Sequence, residues 1–392
     1  MMRPNTRRGR LFPLLALLIA GCLDPLPDPA MIEGLRVVAI TAEPPEAAEG
    51  ASVTLSALVI DGLGDAVAAA GGPKREIKRT WLACLKPERG QGFFSGASNV
   101  GFSGGQGYSV DDPGSCFNLL EAEVLTGFDY PLGDILELGS DESVRLTVPT
   151  NFVTDPEKLG GAYGIPAERL SPPALAILSS VAGLNLTVGL RVEVDAIEGA
   201  PADVVESFKR VNVSTATPKN MNPTGLLFHL SRSGSPEDND ETAPLTGEAS
   251  RRRTCFGEPP DAPVTVDRDA TWVLRALNIP DEFEKYQVLL GSTDPSSPFG
   301  IQERDETYFY SVFSTHGSFS ERVFKSRGSA KASWEIPSDA PATIPLWVVV
   351  RDGRGGAAWC HSTLNVIDEL LVPASSDERP LVGTPSALPT RP

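Results

Sequence analysis

One stretch constrains the fold more than any other. Leu346-Trp347-Val348-Val349-Val350 is an apolar run, Asp352-Gly353-Arg354-Gly355-Gly356 interrupts it, and Ala357-Ala358-Trp359-Cys360 leads back through Val366. A β-branched and aromatic run, a glycine-rich break and a return run predict a β-hairpin. Gly353, Gly355 and Gly356 are expected to supply the positive φ that such a turn requires. A chain with this hairpin must offer a sheet for it to join.

Other segments supply strands. Val53, Leu55, Ala57 and Val59 alternate against Ser52, Thr54 and Ser56, the period of a half-buried strand. Asp61-Gly62 then reads as its closing turn. Leu35 to Ile40 predicts an earlier strand, broken by Glu43-Pro44-Pro45-Glu46, and Ile77 to Cys84 a third strand carrying Trp81. Val144 to Val148, Leu186 to Val194 and Phe208 to Val213 continue the series. Beyond them come Leu226 to Leu230, Ala270 to Leu277, Tyr308 to Thr315 and Ala332 to Pro337. One helix is expected within 166–183, with Ser171-Pro172-Pro173 as its start, Ala174, Leu175, Ile177, Leu178 and Val181 as its apolar stripe, and Gly183 as its stop.

This order of strand, Pro-Gly-rich turn, strand and Trp strand resembles the first half of an immunoglobulin-like or PKD-like β-sandwich. The 346–360 hairpin resembles the closing hairpin of PKD-like and cadherin-like modules. The resemblance implies an all-β chain of two tandem Ig-like β-sandwich domains, the first with a short helical insertion and with Trp81 between its sheets. Cys84, three residues after Trp81, departs from the antibody-type Cys…Trp…Cys arrangement and leaves the strand topology open. Residues 34–217 and 218–370 are the expected domains. Lys209 to Ser214 followed by Asn220-Met221-Asn222-Pro223 resembles a junction of multi-domain bacterial lipoproteins, so the interdomain hinge is expected there.

The amino end carries Arg3, Arg7, Arg8 and Arg10 without an acid, then an apolar run from Leu11 to Ala20. That layout reads as a secretory signal peptide, too short for a spanning helix of roughly 20 apolar residues. Ile19-Ala20-Gly21-Cys22 resembles the bacterial lipobox. The resemblance implies removal of residues 1–21 and acylation of Cys22 with palmitate-type chains, each adding about 0.8 kcal/mol of membrane affinity per buried methylene. Leu23, where an inner-membrane retention signal would place Asp, favours the outer membrane. Arg7-Arg8 lacks the Phe-Leu that follows a twin-arginine pair. Residues 22–33 are expected as a tether, and 371–392 as a disordered Pro/Ser-rich tail.

The formal net charge of the 392-residue chain is −17, and it grows more negative once the leader's arginines are removed. Such a chain repels nucleic acid, whose binding needs Lys and Arg against phosphate. Besides Cys22, the cysteines are Cys84, Cys116, Cys255 and Cys360. An even number in an exported chain predicts two disulfides. The pairing Cys84–Cys116 with Cys255–Cys360 keeps each bridge inside one expected domain. None of these cysteines has C-x₂-C spacing, so zinc is not expected.

Two long polar loops, 90–114 and 233–250, are the expected recognition elements. Phe93, Phe94 and Tyr108 in the first are the candidate binding residues. Asp111, Asp112, Asp129 and Asp134 do not form a calcium-loop pattern, and solvated turn acids are the expected reading. Arg251-Arg252-Arg253 is expected to be neutralised by neighbouring acids. His229, His316 and His361 are scattered, with no H-E-x-x-H and no G-x-S-x-G elbow. No enzyme activity, no metal and no cofactor beyond the lipid on Cys22 is therefore expected. The composite expectation is a lipid-anchored cell-envelope protein, a non-catalytic binding or assembly module for envelope proteins or glycans. Its rivals are a carbohydrate-binding module or carbohydrate-active enzyme, and a structural spacer.

Overall fold

The computed structural model describes residues 28–89, 135–234, 264–277, 279–280, 283–291, 299–326 and 330–368. Domain one contains β1 (Leu35–Glu43), β2 (Glu46–Ala47), β3 (Ser52–Asp61), β4 (Ile77–Arg89), β5 (Ile135–Gly139), β6 (Ser143–Thr147), β7 (Leu184–Val194) and β8 (Asp203–Val213). These form a three-stranded sheet, β1-β3-β6, and a five-stranded sheet, β2-β8-β7-β4-β5. The pairings are antiparallel except for the short β2–β8 ladder.

Alternation does its work in β3, where Val53 and Leu55 are buried and Ser52 and Thr54 are exposed. Both join the apolar core between the sheets, with Leu146 of β6, Leu186, Val188 and Leu190 of β7, and Trp81 of β4. Trp81 is fully buried, as the sandwich resemblance implies, and its Nε1 donates to the Asp141 carbonyl at 3.0 Å. That bond lets an indole fill the core without an unsatisfied donor.

Local chemistry departs from the sequence reading at three places. Asp61-Gly62 starts a helix rather than a turn: α1 (Gly62–Ala69) is capped by the Asp61 carboxylate, which accepts from Gly64 N at 3.1 Å and pairs with buried Arg75. An additional helix, α2 (Pro156–Tyr163), starts at Asp155, whose side chain accepts from Glu157 N, and ends at Gly164 with φ 69°. Asp-Pro-Glu followed by a left-handed glycine is a legible pair of caps. The helix expected within 166–183 is broken into a 3₁₀ turn (Ala167–Arg169), α3 (Pro172–Ile177) and a π turn (Leu178–Ala182), and Gly183 with φ 64° ends it as expected.

Domain two contains β9 (Leu227–Arg232), β10 (Thr265–Asp267), β11 (Thr271–Leu277), β12 (Lys285–Gly291), β13 (Phe299–Asp305), β14 (Phe309–Ser314), β15 (Ser318–Phe319), β16 (Val323–Lys325), β17 (Lys331–Glu335), β18 (Thr343–Arg351) and β19 (Ala357–Ile367). A five-stranded sheet, β10-β19-β18-β14-β16, faces a four-stranded one, β15-β17-β11-β9, and β12-β13 is a separate hairpin. Trp334 fills this core, stacked on Phe319 at 5.4 Å, with its Nε1 donating to the His316 carbonyl at 3.1 Å. The chain is thus all-β, two tandem Ig-like sandwiches with helical insertions in the first.

The sandwiches meet along their outer faces. Val37 and Ile40 of β1 point into domain one's core, while Val38 and Ala39 join Ile60, Phe313, Trp347 and Val349 in a separate apolar cluster. Leu346, Val348 and Val350 of β18 likewise serve domain two's own core. Leu289 of β12 is buried in domain one's cluster. The segment expected within the tether lies along β14 from its end: Ile32 N donates to Ser314 O at 2.9 Å and Ser314 N to Ala30 O at 3.1 Å.

Candidate functional site

The glycine-rich turn after β18 carries the chemistry of the junction. The Asp352 carboxylate accepts from Arg354 N at 2.7 Å and Gly356 N at 2.9 Å, folding the turn onto its own side chain. Gly353 (φ 76°) and Gly355 (φ 111°) take the expected positive φ, but Gly356 does not. Gly356 is required for another reason: a Cβ there would strike the Asp352 carboxylate and lie 2.9 Å from Met221 O.

Folded this way, the turn throws Arg354 across the domain boundary. Its guanidinium lies 3.5 Å from Glu46 in domain one, 3.2 Å from Glu284 and 3.6 Å from Glu306, and covers the Tyr286 ring at 4.8 Å. Domain one answers with Lys209, whose Nζ donates to Gly355 O, while Lys219 Nζ donates to Ser214 O within the strap. Burial depresses the Lys209 ammonium to about 8, against the attraction of Asp352. Burial also pushes the Asp352 carboxyl up, although Asn220 Nδ2 donates to it at 2.8 Å.

The expected hinge runs into a strap, 214–222, anchored at the buried Ser214 and Asn220. Asn220 N and Ser214 Oγ both donate to Glu46. Asn222 Nδ2 donates to Ala42 O at 2.7 Å, and Asn222 Oδ1 accepts from Ala357 N at 2.9 Å. One asparagine therefore ties β1 to β19.

Beside the strap lies a cleft of about 180 Å³ with walls of Met221, Pro280, Phe283 and Tyr308 and carboxylates from Glu284 and Glu306. Phe283 and Tyr308 meet edge to face at 5.5 Å. The Glu306 side chain is only 6 % exposed, and its Oε1 accepts no hydrogen bond among the described residues. Burial pushes its carboxyl up to about 7, reinforced by Asp352 and Glu284 and opposed by Arg354. Burial and the same carboxylates push the Tyr308 hydroxyl up to about 12.

The described residues hold none of those singled out in the sequence for binding. Cys22, Phe93, Phe94, Tyr108, Asp111, Asp112, Asp129, Asp134, Cys116, Cys255 and Arg251 to Arg253 fall outside the described residues, as do most of loops 90–114 and 233–250. Cys84 on β4 and Cys360 on β19 are both disulfide-bonded. His316 Nδ1 meets Thr315 Oγ1 at 2.9 Å and His361 lies against Trp347 at 6.0 Å. No group of three metal-ligating side chains occurs among the described residues, nor does any helix there have the length and apolarity to cross a membrane. A sequence signal for the junction did exist: Leu346 to Val350 is apolar without alternation, the pattern of a strand covered on both faces.

No family model matches the chain, and neither does any curated protein. Among solved structures, dimeric latent PorU from Porphyromonas gingivalis aligns with a TM-score of 0.18 and 9% identity, over 87% of this chain and 24% of that one. This chain thus spans about a quarter of PorU's length. The two tandem V-type regions of VCBP3, a v-region-containing chitin binding protein, align with a TM-score of 0.20 and 11% identity, over 84% of this chain and 100% of that one. Likenesses this distant carry no argument, and the architecture rests on the two pairs of sheets themselves.

Proposed function

We propose that this chain is a lipid-anchored, non-catalytic binding or assembly module of the cell envelope, held in the outer membrane through Cys22. The observation that carries the reading is the welded junction, where Arg354, the 214–222 strap and the two-faced strands β1 and β18 fix one sandwich against the other. A binding surface held rigid before contact loses less entropy on association. Side-by-side packing favours this over a spacer, which gains reach from domains joined end to end. The anchor fits the same picture: the six residues from Cys22 to Asp28 span at most about 20 Å when extended, so the module sits close to its membrane.

Within the module, Cys84 pairs with Cys116 and Cys360 with Cys255, each bridge pinning a long loop to a strand. Peptide mapping without reduction reads that pairing directly, and a crossed pair overturns it. The function is tested by crosslinking and co-purification of the tagged chain from its native membranes beside a Cys22→Ala control. Partners recovered with the wild type and lost with the control support the module. A lipidated, folded protein that recovers no partner removes it.

A further inference from the structure

We infer that the end of domain two formed by residues 314–322 is the surface this protein turns toward a phospholipid membrane. This rests on the reading of Cys22 as the anchored residue and adds which way the module stands.

The point at which the chain enters the fold is the first argument. Residues 28–33, expected as part of the tether, are clasped between the sandwiches. Ala30 and Ile32 are each 1 % exposed, Ala30 in domain two's core and Ile32 in the cluster at the boundary. Both pair by backbone with Ser314 at the end of β14. Ser314 is itself fixed, fully buried with its Oγ donating to Pro345 O at 2.9 Å. Domain one closes the clasp from the other side: Gly62 N donates to Gly34 O at 3.1 Å, and a Cβ at Gly62 would strike Ile32 O.

Charge holds the outer end of the clasp. Asp28 pairs with Arg322 at 2.8 Å, and the same carboxylate accepts from Ala30 N at 2.8 Å. Arg36 Nη1 donates to Pro29 O while its guanidinium covers the Phe313 ring at 5.3 Å. The chain therefore meets the fold at one defined point, beside Arg322. From Asp28 the six residues back to Cys22 reach at most about 20 Å, which places the acyl chains within that distance of Arg322.

The shape of the molecule turns a short reach into an orientation. β1 starts just after the clasp and ends beside Asn222, and β18 runs the same way, from Leu346 opposite Ser314 toward the Arg354 turn. Each has nine residues, about 30 Å at roughly 3.3 Å per residue. A membrane at Cys22 meets the 314–322 end first, and the Arg354 end touches it only if the module lies flat. Lying flat would press a long side of a chain with net charge −17 against anionic lipid, which repels it. The 314–322 end exposes Ser318, Ser320, Glu321 and Arg322, with one acid matched by one base.

The test uses the lipidated full chain on vesicles of phosphatidylethanolamine and phosphatidylglycerol that carry a spin-labelled headgroup lipid. A fluorophore is attached at Ser318→Cys, or at Met221→Cys, which is 68 % exposed at the far end. Quenching at 318 is expected to exceed that at 221 by about twofold or more, given the roughly 30 Å of strand between the two ends. Inserting about ten Gly/Ser residues after Asp24 raises the reach to about 50 Å and should bring the two signals together. Equal quenching on vesicle-bound protein, or more at 221, overturns the inference while the anchor stands. A difference that survives the insertion assigns the orientation to direct adsorption and overturns the part given to the clasp. A chain that fails to float with vesicles, as Cys22→Ala should, removes anchor and orientation together.

Discussion

The Arg354 guanidinium lies 3.5 Å from the Glu46 carboxylate, across the boundary between the two sandwiches. Its side chain is 10 % exposed and Glu46's 6 %, so neither charge has water to fall back on. Removing one partner of a buried pair leaves the other uncompensated, at a cost of about 3–5 kcal/mol. Arg354→Met is expected to lower stability by that amount in urea and to split a single transition into two as the sandwiches uncouple. An unchanged midpoint with one transition would show that the apolar cluster alone holds the junction.

Gly356→Ala tests the turn that aims Arg354. The added Cβ would collide with the Asp352 carboxylate and press on Met221 O, and Asp352 is what gathers Arg354 N, Gly356 N and Asn220. Overpacking of this kind costs about 1–3 kcal/mol. The loss should be much smaller in an Arg354→Met background, because the turn then has less to position. Equal losses in both backgrounds would mean that the turn and the arginine act separately.

Stability should depend on pH through Glu306. Burial raises its folded carboxyl from 4.5 to about 7, so between those values the folded state holds the proton more tightly than the unfolded one. Stability is then greatest at the acid end of this window and falls as pH rises through it. Asp352, also raised by burial, acts in the same direction. Glu49 acts oppositely: despite burial, hydrogen bonds from Thr154 and Val153 hold its carboxyl below the ordinary range, and its contribution is lost only on further acidification. The full shift corresponds to about 3 kcal/mol, reduced by solvent in the open cleft to about 1–2 kcal/mol. Thermal melts from pH 5 to 7.5 should show this decline in the wild type and a flatter profile in Glu306→Gln. Parallel profiles would exclude Glu306 as its source.

What the sequence disclosed follows from where the physics is local. The hairpin at 346–366, the alternating β3 and the Trp81 strand are set by neighbouring residues, and all three were legible. The cap at Asp61 is ambiguous in the sequence because Asp-Gly serves turns and helix starts alike, and only the following Leu63 to Ala69 argues for a helix. The junction was harder. Glu46, Glu284, Glu306 and Arg354 are brought together by long-range pairing, and nothing in their spacing marks them. Gly356 sits in a turn pattern that implies a positive φ, whereas its role is a close approach that no local pattern reveals.

Strand β18 is the place where a faint signal can be put to work. Leu346, Val348 and Val350 face domain two's core, whereas Trp347 and Val349 face domain one. Trp347, 7 % exposed, should therefore stabilise the pair of sandwiches rather than one of them. Trp347→Ala is expected to cost about 3–5 kcal/mol and to speed amide exchange at Val38 and Ala39 of β1, its neighbours across the boundary. Val348→Ala, pointing the other way, should loosen β11 and β17 of its own sandwich while leaving β1 protected. Amide exchange followed site by site distinguishes the two. Equal exposure of β1 in both variants would mean that the sandwiches unfold as one unit, and that the two faces of this strand are energetically one.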